Sequence, residues 1–283
     1  MNLIAAIESR LGTGWSIVGE LGTGATSRVY LATRGGDGPR LVVKVMKSGA
    51  ATAARSQYFL LEMQVLKKMN HPNVVPISDV GEAQGVLFFT MPFIEGETMR
   101  HRLARDGALP MGEAVRVARD VAMALAHAHS LGVVHRDVKP ENILLSPNGA
   151  VLMDFGHARA PAIMPSIDSQ DAKYIVGTAN YVSPEQVTGR RLADSRSDVY
   201  SLGCVLLEML TGQLPFAASS ARESMNRRLE EPPPDVRALR PDVPEELASV
   251  LKRAMKVDPA ERYMAAGQMA DALTVALDLL PVT

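Results

Sequence analysis

His135-Arg136-Asp137-Val138-Lys139-Pro140-Glu141-Asn142, with Asp154-Phe155-Gly156 following a dozen residues later, is the stretch on which the reading of this chain turns. Asp137 offers a carboxylate, Lys139 a cation two residues on, and Asn142 an amide. Between Asn142 and Asp154 lie two short apolar runs, 143–145 and 150–153, around Ser146-Pro147-Asn148-Gly149. Turn residues between β-prone runs predict a hairpin. Asn142 and Asp154 stand on either side of that hairpin, so they can converge. Any one of these residues would pass for part of a solvated loop, but the combined string reads as a site.

The pattern on the N-terminal side is mostly strand. Residues 15–21, 29–33 and 41–47 are rich in β-branched side chains and separated by Gly and Asp, which predicts successive antiparallel strands. Residues 52–70 predict a helix that stops at Asn70-His71-Pro72, because proline cannot continue it. Residues 74–80 and 86–91 predict two further strands, giving a five-stranded sheet with one helix over roughly the first 90 residues. Leu3, Ile4, Ile7 and Leu11 sit at helical spacing and predict a short helix packed on the domain, with a dimer contact as the other reading.

On the C-terminal side the period changes. Val115, Ala118, Val121, Ala122, Leu125 and His129 share one helical face. Residues 157–180 are poorly periodic and predict a long loop, which in a compact domain is usually functional. After Asp198 the chain reads as helical to the end, with the Pro-rich stretch 230–241 as a connection.

Composition excludes several classes. The chain has 283 residues, 47% apolar and 22% charged, with a net charge of −1 and no block of one sign. Extensive disorder is excluded, and neither nucleic acid nor a membrane surface is indicated as a main partner. No apolar run has the length of a membrane span, and the start does not resemble a signal peptide. The single cysteine, Cys204, has no partner for an internal disulfide, which points to a reducing compartment. It lies in the apolar run 202–207 and reads as a small core residue rather than a nucleophile.

The site chemistry fits phosphoryl transfer. That reaction needs a carboxylate to orient a hydroxyl and take its proton, cations to neutralise the moving oxygens, and oxygen ligands for Mg²⁺. Asp137 suits the first role, Lys139 and Lys44 the second, and Asn142 and Asp154 the third. Lys44 lies mid-strand among apolar neighbours, where a charge must snorkel or be paired. Its candidate partner is Glu62, the only acidic residue between Lys44 and Asp79. Gly22-Thr23-Gly24 lies between two strands. Alone it reads as an ordinary glycine hairpin or as a loop whose N–H groups cover phosphates.

Over about residues 15–275 the sequence resembles the protein kinase family, and within it the bacterial Hanks-type (eukaryotic-like) serine/threonine kinases. The resemblance implies an α+β, bilobal fold formed by one domain over residues 1–283. Its N-lobe would span about 12–91, its hinge 92–95 and its C-lobe about 96–280. It implies a Ser/Thr protein kinase that uses ATP with Mg²⁺, or Mn²⁺ as an alternative. Leu21, Gly22, Thr23, Gly24, Val29, Val42, Lys44, Met91, Pro92, Ile94 and Leu144 would contact ATP. Met91 would be the gatekeeper, with the Pro92 carbonyl and the Ile94 N–H on adenine. Asp137, Lys139, Lys44 and Glu62 would form the catalytic set, and Asn142 and Asp154 would hold the metal. Ser183-Pro184-Glu185 would close the activation segment with Glu185 paired to Arg262, and Asp198 would anchor the catalytic loop.

The resemblance also implies that Arg136 receives a phosphorylated loop residue, Ser166 or Ser169, with Asp168 and Asp171 as partial substitutes. Thr178 would bond near Asp137 and Lys139. Four positions depart from the family pattern: Ser27 for the third glycine, Val42 before the lysine, Ser183 for alanine, and His157 after Asp154-Phe155-Gly156. None of the four removes a group that touches metal or transferred phosphate. A pseudokinase scaffold would ordinarily lack Lys44, Asp137 or Asp154. A small-molecule phosphotransferase would ordinarily lack Lys139-Pro140 and the Ser183-Pro184-Glu185 segment. Expected partners are protein substrates and a second copy for autophosphorylation in trans. The expected location is cytoplasmic, including as the cytoplasmic part of a larger or membrane-anchored kinase.

Overall fold

The computed structural model describes residues 2–24, 26–36, 38–47, 53–155, 180–189 and 193–280. The chain forms two compact units, Met1–His71 with Val75–Glu95, and Pro72–Val74 with Gly96–Thr283.

The first unit is an antiparallel sheet of β1 (Trp15–Thr23), β2 (Ser27–Arg34), β3 (Arg40–Met46), β4 (Asp79–Ala83) and β5 (Val86–Pro92), in the order β1-β2-β3-β5-β4. The helix α2 (Ala53–Leu66) lies between β3 and β4 in sequence. The N-terminal helix α1 (Leu3–Leu11) is capped by Asn2, whose side chain accepts from the Ile4 N–H. Ile7 is wholly buried in a cluster with Ala32, Val43, Val45, Ala83 and Phe88, with Leu3 and Leu11 packed on it. The apolar stripe of α1 is therefore spent on its own sheet. Glu8 secures the contact, accepting from the Ile17 N–H at 2.8 Å beside an irregularity in the β1–β2 register.

The fourth strand corrects the sequence reading. Residues 74–80 were expected to form it, whereas β4 starts at Asp79. Pro76 has no N–H to give to a ladder, and Val74 instead bridges Leu152 in the second unit to which it belongs. The β4–β5 register is set by the two-residue turn Gln84-Gly85, both at positive φ (52° and 74°), which suits the twist of a hairpin.

In the second unit, β6 (Glu97–Thr98), β7 (Ile143–Ser146) and β8 (Gly149–Leu152) form a small antiparallel sheet. Around it lie α3 (Met99–Asp106), α4 (Met111–Ser130), α5 (Pro184–Thr188), α6 (Ser195–Thr211), α7 (Ala221–Glu230), α8 (Val236–Leu239), α9 (Glu245–Ala254) and α10 (Ala266–Asp278). The face of α4 expected from its period is buried: Val115, Ala118, Val121, Ala122 and Leu125 have no exposure. Helix α6 is buried on all sides from Ser197 to Leu210, as a central helix is, and its Ser197, Asp198, Ser201 and Glu208 side chains are hydrogen-bonded. The Pro-rich connection is less irregular than its composition suggests, because Asp235 accepts from the Arg237 N–H and starts α8.

Candidate active site

The predicted hairpin forms with Ser146 facing Gly149, so Pro147-Asn148 is a two-residue loop. A single 3-10 turn, Pro140–Asn142, leads into it. This compact path folds the polar residues of the string onto each other. The Lys139 ammonium lies 2.7 Å from Asp137 Oδ2. The Asn142 side-chain N–H₂ donates to the Asp137 carbonyl at 2.8 Å and to Asp137 Oδ2 at 3.0 Å. Asp137 and Asn142 are both buried, so these bonds hold a carboxylate that is largely withdrawn from water.

Asp198 anchors the loop from the centre of the unit. Its fully buried carboxylate accepts from the His135 N–H at 2.8 Å and the Arg136 N–H at 2.7 Å, and lies 2.8 Å from His129 Nε2. Those donors replace the water that a buried carboxylate would otherwise need. His135 then works at both ring nitrogens. The Asp137 N–H donates to Nδ1 at 3.2 Å, which leaves the proton on Nε2, 3.1 Å from the Met153 carbonyl. The His135 ring stacks edge-on against Phe155, with centroids 4.6 Å apart. Arg136 and Asp154 both have positive φ, 66° and 64°, which non-glycine residues hold only where surrounding contacts impose it.

Beyond the site, Ser183 starts α5, and the expected Glu185–Arg262 pair is present as two N–H···O bonds of 2.8 Å each. Ser197 donates to Glu185 Oε1 at 2.6 Å. Burial alone would raise the Glu185 carboxyl, and the bonds from Arg262 and Ser197 outweigh it and hold the group below the usual range. The last residues before α5 are also held. Ser201 Oγ donates to the Tyr181 carbonyl, Arg228 to the Asn180 carbonyl, and Arg100 joins Tyr181, Glu208 and Glu141.

In the first unit, Lys44 is buried in β3 with its ammonium 5.9 Å from the centroid of the Phe89 ring, and Glu62 lies on α2. Gly22 and Gly24 have no positive φ, and a Cβ on Gly22 would meet nothing within 4 Å. Neither glycine is demanded by the fold. Leu21 is half exposed, and Val29, Val42, Met91, Pro92 and Ile94 are partly buried in the same unit. Leu144 is partly buried in β7 of the second. Gly156, His157, Ser166, Asp168, Ser169, Asp171 and Thr178 lie outside the described residues.

The donor set fits a hard divalent ion. Asn142 spends its N–H₂ on Asp137, so its carbonyl oxygen is the end suited to a cation, and Asp154 adds a carboxylate. No cluster of three His, Cys, Asp or Glu occurs among the described residues. Two protein oxygens completed by phosphate oxygens and water is the way magnesium is ordinarily held.

Sequence reasoning missed Gln186, Ser197, Arg100 and Arg228 as parts of this framework. Glu208 carried a usable cue, because it is a charge inside the apolar run of α6, as Lys44 is in β3. Arg228 carried none.

A five-stranded antiparallel sheet bearing a buried lysine, and a helical unit bearing this carboxylate–lysine–asparagine loop, are the elements of a protein-kinase-like fold. Residues 15–273 match the family described as Protein kinase domain, and the chain belongs to that family. It is similar to the serine/threonine-protein kinase PknB of Mycolicibacterium smegmatis, with 40% identity over 258 residues, 88% of this chain and 40% of the relative. It is also similar to PrkC of Bacillus subtilis, with 32% identity over 274 residues, 96% of this chain and 42% of the relative. PknD of Mycobacterium tuberculosis is 41% identical over 241 residues, 83% of this chain and 35% of the relative. The chain thus spans about two fifths of the length of these relatives. They are bacterial serine/threonine-protein kinases, the group to which the motifs pointed. Members of this family in general use ATP with a divalent metal. Among the described residues no helix is long and apolar enough to cross a membrane.

Proposed function

We propose that this chain transfers the γ-phosphoryl group of ATP to serine and threonine hydroxyls of proteins, its own included, with Mg²⁺ as the working metal and Mn²⁺ as a substitute. The observation that carries the reading is Asp137 held at 2.7 Å by Lys139 and at 3.0 Å by Asn142. Asp137 orients the acceptor hydroxyl and takes up its proton as the new O–P bond forms and the bond to ADP breaks. Lys139 balances charge beside it. Lys44, paired with Glu62, positions the nucleotide phosphates. Asn142 and Asp154 hold the metal, which when bound neutralises phosphate charge. Leu21, Gly22, Thr23, Gly24, Val29, Val42, Met91, Pro92, Ile94 and Leu144 contact the nucleotide. Most of the acceleration comes from positioning and fixed charge.

A second copy serves as one acceptor, and Ser166 or Ser169 is the modified residue that Arg136 receives, with Thr178 beside Asp137 and Lys139. The relatives' greater length supports a catalytic domain of a larger protein, and the location we propose for it is cytoplasmic. Labelled ATP with a generic protein substrate tests the whole reading. Wild type transfers label to the substrate and to its own loop serines, whereas Asp137→Asn retains nucleotide binding and loses transfer. Wild-type-like turnover in Asp137→Asn would refute the role of Asp137. Nucleotide binding without transfer in wild type would make the chain a scaffold.

A further inference from the structure

The backbone at Arg136 has a φ of 66°, outside the range non-glycine residues usually occupy. Such a conformation persists only where neighbouring groups over-determine it. One restraint was described above: the Arg136 N–H donates to Asp198. The other is on the carbonyl side. Gln186, in the first turn of α5, donates from its side-chain amide to the Arg136 carbonyl at 3.1 Å. That carbonyl belongs to the peptide joining Arg136 to Asp137, whose N–H donates to His135 Nδ1. The peptide plane that aims Asp137 is therefore gripped at its oxygen by Gln186 and at its nitrogen by His135.

The opposite end of the same amide is also occupied. Gln186 Oε1 accepts from the Ser183 N–H at 3.1 Å and from Ser183 Oγ at 2.9 Å, completing a capping box at the start of α5. One side chain thus ties the first residue of the Ser183-Pro184-Glu185 segment to the peptide bond of Asp137. We infer that Gln186 is a positioning residue for phosphoryl transfer: it couples the segment that receives the protein acceptor to the carboxylate that aligns the acceptor's hydroxyl. This rests on Asp137 having the role proposed above.

The two ends of the amide do different work, and a near-isosteric change separates them. Gln186→Glu keeps an acceptor for Ser183, since glutamate at this position is the other capping-box residue. It loses the only donor to the Arg136 carbonyl that this side chain has and sets a carboxylate oxygen against it. The expected result is a melting temperature close to wild type and an unchanged KM for ATP. The expected kcat is lower by about one to two orders of magnitude, the size of effect that follows a displacement of order 1 Å at reacting groups. Gln186→Lys restores a donor in reach of the carbonyl while giving up the acceptor. It should melt lower than Gln186→Glu yet recover at least part of its lost kcat.

A purely structural Gln186 would behave otherwise, with kcat per folded molecule unchanged in both variants and only melting affected. A folded Gln186→Glu with kcat within about twofold of wild type, or less active Gln186→Lys than Gln186→Glu, overturns the inference. So does failure of Gln186→Glu to fold, because the cap would then not be separable from the coupling. Absence of transfer in wild type would overturn the functional reading itself, a result distinct from any of these.

Discussion

At the residue scale Glu185–Arg262 is an ion pair with almost no exposure on either side chain. Arg262 has no side-chain exposure, and besides its two bonds to Glu185 it donates to the carbonyls of Arg196, Lys256 and Val257. With so many acceptors satisfied, the cost of burying two charges is recovered by geometry rather than by attraction alone. Removing one partner leaves the other charged and dry. Glu185→Gln should therefore lose about 3 kcal/mol or more of unfolding free energy in a urea titration. The pH dependence has a definite sign. Glu185 is held below its unfolded value, so its contribution is complete above the usual carboxylate range and is lost as pH falls through the depressed one. The advantage of wild type over Glu185→Gln should shrink on acidification, and an advantage that grows would contradict the assigned charge. The residues Asp137, Lys139 and Asn142 were legible in sequence because their chemistry is local and densely spaced. Glu185 with Arg262, and Asp198 with the catalytic loop, were legible only through family resemblance, since 77 and 63 residues separate the partners. Gln186 was not legible at all, because a glutamine on a short helix looks like a solvated one.

At the element scale, period was the reliable signal and boundaries were not. The six residues assigned to one face of α4 share it because a 20-residue helix gives the period room to show. The two-residue strand β6 gives none. The start of β4 was misplaced because Val74 and Val75 favour strands intrinsically, while the turn at Gln84-Gly85 and the missing N–H of Pro76 decide the register. Close helix approach was equally invisible. Gly203 lies within the apolar run of α6, and a Cβ there would fall 2.8 Å from Met255 Cγ and 3.1 Å from Ala254 Cβ. Helix α9 thus rests directly on the α6 backbone. Two effects oppose each other on substitution: losing a glycine inside a helix gains up to about 1 kcal/mol, and overpacking costs about 1–3 kcal/mol. For Gly203→Ala they should nearly cancel. Gly203→Val adds two methyl groups to the crowding, and its melting temperature should fall by several degrees, about 2–4 °C per kcal/mol for a chain of this size. A stabilised Gly203→Val would show that α6 and α9 are not in contact in solution.

At the scale of the whole molecule, the central position of α6 makes the one thiol of the chain a reporter of global opening. Cys204 has no exposure, and burial pushes its thiol up to about 12. At pH 8 the native thiol is therefore both shielded and protonated. In an unfolded chain it returns to about 8.5 and reacts readily. Helix α6 packs against α4, α8, α9 and α10, so no small fluctuation frees Cys204, and modification must wait for the second unit to open. A thiol reagent should label wild type slowly in buffer and completely in denaturant. Ligand linkage then gives a measure of nucleotide binding that is independent of transfer. A ligand that binds only the folded state at 100 times its Kd adds about 2.7 kcal/mol, so ATP with Mg²⁺ at that level should slow labelling about 100-fold. On the proposed role of Asp137, which is to act on the acceptor hydroxyl and not on the nucleotide, Asp137→Asn should show nearly the same protection as wild type. On the proposed assignment of Asp154 as a metal ligand, Asp154→Asn should show much less. Equal protection in wild type and Asp154→Asn would mean that metal and nucleotide bind without Asp154, and labelling indifferent to nucleotide would mean that the second unit gains nothing from it.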